Sequence, residues 1–135
     1  MELLRHVFVS PWVHWLALLC LCAAYLQGAF DKARDFPAAV AEMRGFGLAP
    51  AAPLAALTIV FEFAASAMVL SGVYRWLGAL MLAAFTALAN VLADRFWDKQ
   101  GTQRRMLANN FFEHWGLVGG FIVVAWYDLG GQVGI

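Results

Sequence analysis

A single carboxylate, Glu62, lies near the middle of an apolar stretch that runs from Pro53 to Arg75. About 20 apolar residues suffice for a helix to cross a bilayer, so the stretch predicts a membrane-spanning helix. A charge at such a depth costs at least ~2.5–3.5 kcal/mol on insertion scales, which makes Glu62 a candidate functional residue. Thr58 and Ser66 are four residues away on either side, so all three share a helix face that we expect to contact protein. The alternative is a neutral or paired Glu62 that only ties helices together.

Further polar residues are predicted at a similar depth in neighbouring helices, counted at ~1.5 Å of rise per residue. The predicted buried layer consists of Glu62, Thr86, Asn90, Asn110, Glu113 and His114. Carboxylates and imidazole can exchange protons, and these side chains can hydrogen-bond the oxygens of a quinone head group. The alternative is a set of structural hydrogen bonds between helices, each contributing ~0.6 kcal/mol on average. Neither interpretation identifies a catalytic residue.

Other kinds of chemistry lack the residues that they need. His14 and His114 differ in predicted depth by roughly 15 Å at the helical rise, so one haem iron could not bind both. Cys20 and Cys22 are about 200° apart around a helix, which prevents a disulfide between them. The sequence has no C-x-x-C pair, metal-ligand cluster, Gly-rich phosphate loop or hydrolase motif. Its formal net charge is zero, so no basic surface for nucleic acid is expected.

The composition is typical of an integral membrane protein. Of the 135 residues, 63% are hydrophobic and 13% are charged, whereas a soluble domain carries about 25% charged residues. The pattern predicts one all-α domain over residues 1–135, an integral membrane four-helix bundle. Its membrane helices are predicted at about residues 12–30, 52–71, 76–93 and 107–127.

The segment between the first two predicted helices, residues 36–50, is too polar and too short to cross a bilayer. We expect a short amphipathic turn or helix on the membrane surface, with Val40, Met43 and Phe46 on its apolar side. A plain ordered loop is the alternative. Lys32, at the end of the first helix, is close enough to the surface to extend toward water.

Two of the predicted helices carry patterns that favour close packing. The fourth contains Gly116 and Gly120, a G-x-x-x-G that lets another helix approach. The third repeats mostly small or polar residues every four positions, which predicts a contact face. This face consists of Gly78, Leu82, Thr86, Asn90 and Asp94.

Lys and Arg are unevenly distributed between the two ends of the predicted bundle. The end with both termini and the 72–75 turn has Arg5 and Arg75. The opposite end has Lys32, Arg34, Arg44, Arg95, Lys99, Arg104 and Arg105. Because positive residues favour the cytoplasmic side, both termini are predicted outside the cytoplasm, and we expect a multi-pass protein of a bacterial inner membrane.

The order and spacing of these residues resemble the DoxX family of small four-helix membrane proteins, from about Tyr25 to Gly120. The matching positions are Gly28, Lys32 and Phe36, Met43, Gly47-Leu48-Ala49-Pro50, Glu62, Gly72, Arg75, Arg95-Phe96-Trp97 and Gly119-Gly120. The resemblance singles out Lys32, Glu62, Arg75, Trp97 and Gly120 as family-like positions. Two departures from the family pattern are the Gly28–Lys32 spacing, which is one residue longer than expected, and Glu113-His114, where many members have Lys-Asn.

The resemblance implies a role in redox chemistry. Members are described as subunits of thiosulfate:quinone oxidoreductase in an archaeon and as membrane partners of thiol and superoxide defence enzymes in mycobacteria. We therefore expect a membrane subunit of a redox or quinone-linked assembly. The sequence leaves the cofactor unknown, with quinone as one candidate, and the candidate protein partners are a soluble redox protein and further copies of the chain. The alternative is a non-catalytic scaffold that anchors a soluble partner through the loop Asp94–Arg105. A small-solute transporter is less favoured, because no broken membrane helix is evident and because four helices alone make only a small pathway. It would require a homodimer.

Overall fold

Helices make up nearly all of the fold. The structure, a computed structural model, describes residues 1–132, and no strand occurs in that range. The helices are α1 (Glu2–Phe8), α2 (Pro11–Arg34), α3 (Phe36–Gly45), α4 (Ala51–Ser71), α5 (Arg75–Ala93) and α6 (Gly101–Asp128), with a 3-10 turn, Phe96–Asp98, before α6. The predicted all-α class is confirmed.

Three segments of the described chain are long and apolar enough to cross a bilayer: Pro11–Arg34, Ala51–Ser71 and Arg75–Asp98. The predicted membrane protein is thereby confirmed. The 28 residues of α6 reach about 42 Å at the helical rise, enough for a crossing. Its first half is polar, however, with Arg104, Arg105 and Glu113 among its residues. The crossing by α6, and with it the count of four, stays a prediction.

Two helices extend beyond the bounds that we predicted from the sequence. Helix α2 continues from the predicted end at Phe30 to Arg34, and α6 begins at Gly101 instead of Leu107. The added residues are mostly charged or polar. Apolar composition marks only the part of a helix that crosses the bilayer, whereas the backbone hydrogen bonds continue into the aqueous phase.

The bundle is built by neighbouring pairs of helices. Helix α4 packs against α2 and α5, α5 packs along α6, and α2 and α6 touch at few places. The predicted contact face of α5 is confirmed, because all five of its residues are buried. At Gly78 the backbones come so close that a Cβ would lie 2.8 Å from the carbonyl oxygen of Ala65. The contact between α2 and α6 includes Gly120, where a Cβ would lie 3.0 Å from Leu21.

The amphipathic segment after α2 is the helix α3, as predicted. Asp35 caps it by accepting a hydrogen bond from the backbone N–H of Ala38. Val40 and Met43 are buried, as the pattern predicted, while Phe46 is half-buried. The apolar side of α3 packs on the first turns of α4 around Ala55, where it forms a second small core. The apolar side of α3 is therefore covered by α4.

The opposite end of the bundle is closed by two polar contacts. Gly72 ends α4 in the left-handed region at φ 85°, which favours glycine because it has no Cβ. Arg75 lies over this turn and donates from Nε to the carbonyl of Val69 at 2.7 Å. The backbone N–H of Trp76 donates to Asp128 at 2.9 Å, so the last residue of α6 caps the first turn of α5.

Candidate functional site

A cavity of about 950 Å³ lies among α2, α3, α4, α5 and α6. It lies toward one end of the bundle, the end that contains α3 and the loop 94–100. We call this end of the bundle the charged end. Its walls are mainly apolar and include Leu57, Phe61, Met81 and Phe85. Ligand pockets of small molecules measure about 300–1,000 Å³, so the cavity has room for a ligand with a ring and an apolar chain.

An ion pair forms one polar part of the cavity wall. Glu62 of α4 is only 2% exposed, and Lys32 of α2 donates from Nζ to its Oε1 at 2.5 Å. Gly28, one turn before Lys32, makes room for the carboxylate, because a Cβ there would lie 3.3 Å from Glu62 Oε2. The sequence-based expectation that Lys32 extends toward water is wrong. A buried carboxylate requires a cation or hydrogen-bond donors, and Lys32 is the donor within reach.

A second polar contact joins α2 to α5. The hydroxyl of Thr86 donates to the carbonyl of Leu82 at 2.6 Å. Its proton is thereby used, so in the hydrogen bond between the two hydroxyls Tyr25 donates to Thr86. The ring of Tyr25 is held edge-on by Phe121 of α6, with 5.5 Å between ring centroids. Tyr25 and Thr86 both line the cavity.

A third polar group is formed by α5 and α6. Nδ1 of His114 lies 2.9 Å from Asp94 Oδ2 and 3.1 Å from Asn90 Oδ1. Asn90 is 2% exposed and Asp94 is 6% exposed, whereas the His114 side chain is 41% exposed. The Nδ2 amide of Asn90 donates to the carbonyl of Phe111 at 2.9 Å, which fixes its orientation. All three side chains line the cavity.

The structure brings together four of the six residues predicted for the buried layer. Glu62, Thr86, Asn90 and His114 line the cavity. Asn110 and Glu113 are exposed on α6 and lie outside it. Glu113 is one residue from His114 and therefore about 100° around the helix. Asn110 lies one turn closer to the loop, and its side chain is exposed.

Sequence reasoning missed three members of the site. Asp94 was predicted on the contact face of α5 but not in the buried layer, Tyr25 was not included in that layer, and Lys32 was expected to extend toward water. For Asp94 a signal was present, because it continues the four-residue repeat of α5 that contains Thr86 and Asn90. For Lys32 the signal was the buried charge of Glu62, which needs a partner of opposite sign.

Three family-like positions serve other parts of the fold. Arg75 lies at the opposite end of the bundle, and Gly120 is a contact between α2 and α6. Trp97 is 49% exposed and packs edge-on against Phe96 and Phe111. None of the three lines the cavity.

The remaining candidates from the sequence do not join the site. Cys20 is exposed, Cys22 is buried, and both are free thiols. Ser66, the third residue of the Glu62 face, is buried, in line with the prediction that this face contacts protein. The ring of His14 lies 6.4 Å from that of Tyr127. Among the described residues no group of His, Cys, Asp and Glu side chains is arranged to hold a metal ion.

Comparison with known proteins identifies the family. The family model described as DoxX matches residues 15–95, which is more than half of the chain. The match includes Lys32, Glu62 and Asp94 but ends before α6 and His114. No curated protein and no solved structure matches the chain. The chain belongs to the DoxX family.

Proposed function

We propose that this protein is the membrane subunit of a redox assembly and that it binds a quinone in the cavity at the charged end. The observation that supports the proposal is the combination of apolar walls with three polar groups on one cavity surface. These groups are the Lys32–Glu62 pair, the Tyr25–Thr86 pair and His114 with its two acceptors. The DoxX family resemblance supplies the redox context.

The two parts of a quinone match the two kinds of wall. Its carbonyl oxygens accept hydrogen bonds, and an ammonium has three donors, so Lys32 keeps donors beyond its bond to Glu62. Its isoprenoid chain is apolar and suits a wall of Leu57, Phe61, Met81 and Phe85. Sites for small molecules are usually lined by apolar side chains with a small number of polar groups, and this cavity has that composition.

The proposal is tested by the lipid that co-purifies with the protein. The wild type, Glu62→Gln and Glu113→Gln are purified in mild detergent, and their extracts are analysed by mass spectrometry. We expect a stoichiometric quinone in the wild type and in Glu113→Gln, whose carboxylate lies outside the cavity. Glu62→Gln should lose it, because Lys32 then lacks its counter-charge. Bulk phospholipid alone in all three preparations would contradict the proposal.

A second candidate function is a scaffold that captures a soluble partner through the loop 94–105. It is favoured by the aromatic surface there, where Trp97 is 49% exposed and Phe112 is 64% exposed. The guanidinium of Arg104 lies 5.9 Å from the ring centroid of Phe96, and Arg105 is exposed beside it. The double variant Arg104→Glu/Arg105→Glu should abolish partner capture in a pull-down while the quinone content stays unchanged.

A further inference from the structure

We infer that the cavity prefers a ligand that presents a hydroxyl group to His114, which for a quinone ligand is the reduced, quinol form. The inference rests on the proposed function, since it concerns the same cavity. It follows from the hydrogen-bond partners of one imidazole ring and from the orientation of two neighbours. His114 lies outside the part of the chain that the family model matches.

The first step is the orientation of the Asn90 side chain. Its Nδ2 lies 2.9 Å from the carbonyl oxygen of Phe111, which can only accept a hydrogen bond. The amide nitrogen must therefore face Phe111, and the amide oxygen must face His114. Asn90 consequently acts as an acceptor toward the imidazole.

The second step is the position of the proton on the His114 ring. Nδ1 faces two acceptors, the Asn90 amide oxygen at 3.1 Å and the Asp94 carboxylate at 2.9 Å. A lone pair on Nδ1 would face oxygen lone pairs on both sides, so Nδ1 carries the proton and donates it. In a neutral imidazole the other nitrogen, Nε2, is then the acceptor.

The third step is what Nε2 faces. It has no hydrogen-bond partner within residues 1–132. The His114 side chain is among the residues that line the cavity, and it is 41% exposed in total. The cavity thus contains a hydrogen-bond acceptor whose direction is fixed by two neighbouring side chains. A hydroxyl can donate to it, whereas a carbonyl or an ether oxygen cannot. One neutral hydrogen bond corresponds to a preference of about five-fold in affinity.

The test uses two probes that differ in this donor and in one methyl group and that do not change oxidation state; the His114→Phe variant below separates the effect of the donor from the effect of the methyl group. Para-nonylphenol carries a hydroxyl, and its methyl ether, para-nonylanisole, has no donor. Their dissociation constants are measured by titration calorimetry with the protein in nanodiscs at a mildly alkaline pH. The wild type should bind the phenol about five-fold more tightly than the ether.

Two variants assign the preference to His114. In His114→Phe, which keeps a ring but has no acceptor, the affinity ratio should fall to about one. In Glu113→Gln, an exposed neighbour outside the cavity, the ratio should stay at the wild-type value. A ratio that persists in His114→Phe would overturn the inference. The wild-type ratio is a test by itself, so the inference remains falsifiable even if a variant does not fold.

The outcomes separate this inference from the proposed function. Equal affinity of the wild type for both probes, or tighter binding of the ether, would overturn the preference for a hydroxyl but leave the cavity as a binding site. Binding of neither probe would overturn both.

Discussion

At the scale of single residues, the buried charges of this protein are compensated by partners on other helices. Glu62 on α4 is matched by Lys32 on α2, and Asp94, the residue that follows α5, accepts from His114 on α6. A buried carboxylate without a partner is strongly destabilising, whereas the removal of both partners is often tolerated. The Lys32–Glu62 pair therefore joins α2 to α4, and loss of one partner should destabilise the protein more than loss of both.

The first prediction concerns this pair. Lys32→Met should lower the free energy of unfolding by about 3 kcal/mol, because it leaves the Glu62 carboxylate buried and uncompensated. The double variant Lys32→Met/Glu62→Gln should recover most of the loss, because the charge is then removed as well. Thermal unfolding in detergent measures both, with Lys99→Met in the exposed loop as the control. Equal destabilisation of the single and double variants would contradict the assigned ion pair.

The sequence predicted which polar residues lie at the depth of the cavity better than it predicted the direction in which their side chains point. The four-residue spacing of Thr58, Glu62 and Ser66 was enough to predict a face that contacts protein. Depth along α6 predicted both His114, which lines the cavity, and Glu113, which lies outside it. A count of residues along the helix axis does not say which side of the helix faces α5. The pairing of Lys32 with Glu62 depends on the packing of α2 on α4, which no local pattern contains.

At the scale of helices, the close contact between α4 and α5 positions the cavity walls. Gly78 allows this contact, because any Cβ would lie 2.8 Å from both the Ala65 oxygen and the Met68 Cβ. Real Cβ atoms do not approach backbone oxygen so closely, so the two helices would have to separate. Glu62 and Thr86 are carried by the same two helices, and a wider spacing would change their positions.

The second prediction follows from this contact. Gly78→Ala should destabilise the protein by about 1–3 kcal/mol, the usual effect of extra atoms in a packed core. The control is Gly119→Ala on α6, where a Cβ meets no atom within 4 Å. That change should leave the free energy of unfolding unchanged or raise it, because alanine favours a helix over glycine by about 1 kcal/mol. Unfolding curves that coincide for the two variants would exclude Gly78 as a contact of α4 and α5.

At the scale of the whole molecule, the helix order gives the bundle two chemically different ends. The charged end contains α3, the loop 94–100 and most of the Lys and Arg residues, together with the cavity. The opposite end contains the turn at Gly72 and the contact between Trp76 and Asp128. Composition predicted the membrane class, the helix order and the amphipathic α3. It also predicted that α6 crosses the membrane. That crossing stays a prediction, because the polar first half of α6 keeps this helix out of the three segments marked as long and apolar enough to cross.

The third prediction is the topology, tested by chemical labelling. Single cysteines are placed at three exposed positions, Val73, Gln100 and Leu129, in a background of Cys20→Ala/Cys22→Ala. In intact cells, a maleimide that cannot cross membranes should label the cysteines at 73 and 129. The cysteine at 100 should react only after permeabilisation, because Lys and Arg residues favour the cytoplasmic side and the charged end is therefore expected there. Labelling of positions 100 and 129 from the same side would show that α6 does not cross.

The cavity as the quinone site is the central claim, and blocking the cavity tests it most directly. Ala89 lines the cavity, whereas Ala67 is an exposed residue of α4 outside it. Binding of a tritiated short-chain ubiquinone analogue is measured for the wild type, Ala89→Phe and Ala67→Phe in nanodiscs, after thermal unfolding has shown that all three are folded. We predict saturable binding by the wild type and Ala67→Phe and at least about a ten-fold loss in Ala89→Phe, a loss of ~1.4 kcal/mol. Unchanged binding in Ala89→Phe would contradict the claim and place any quinone outside the cavity.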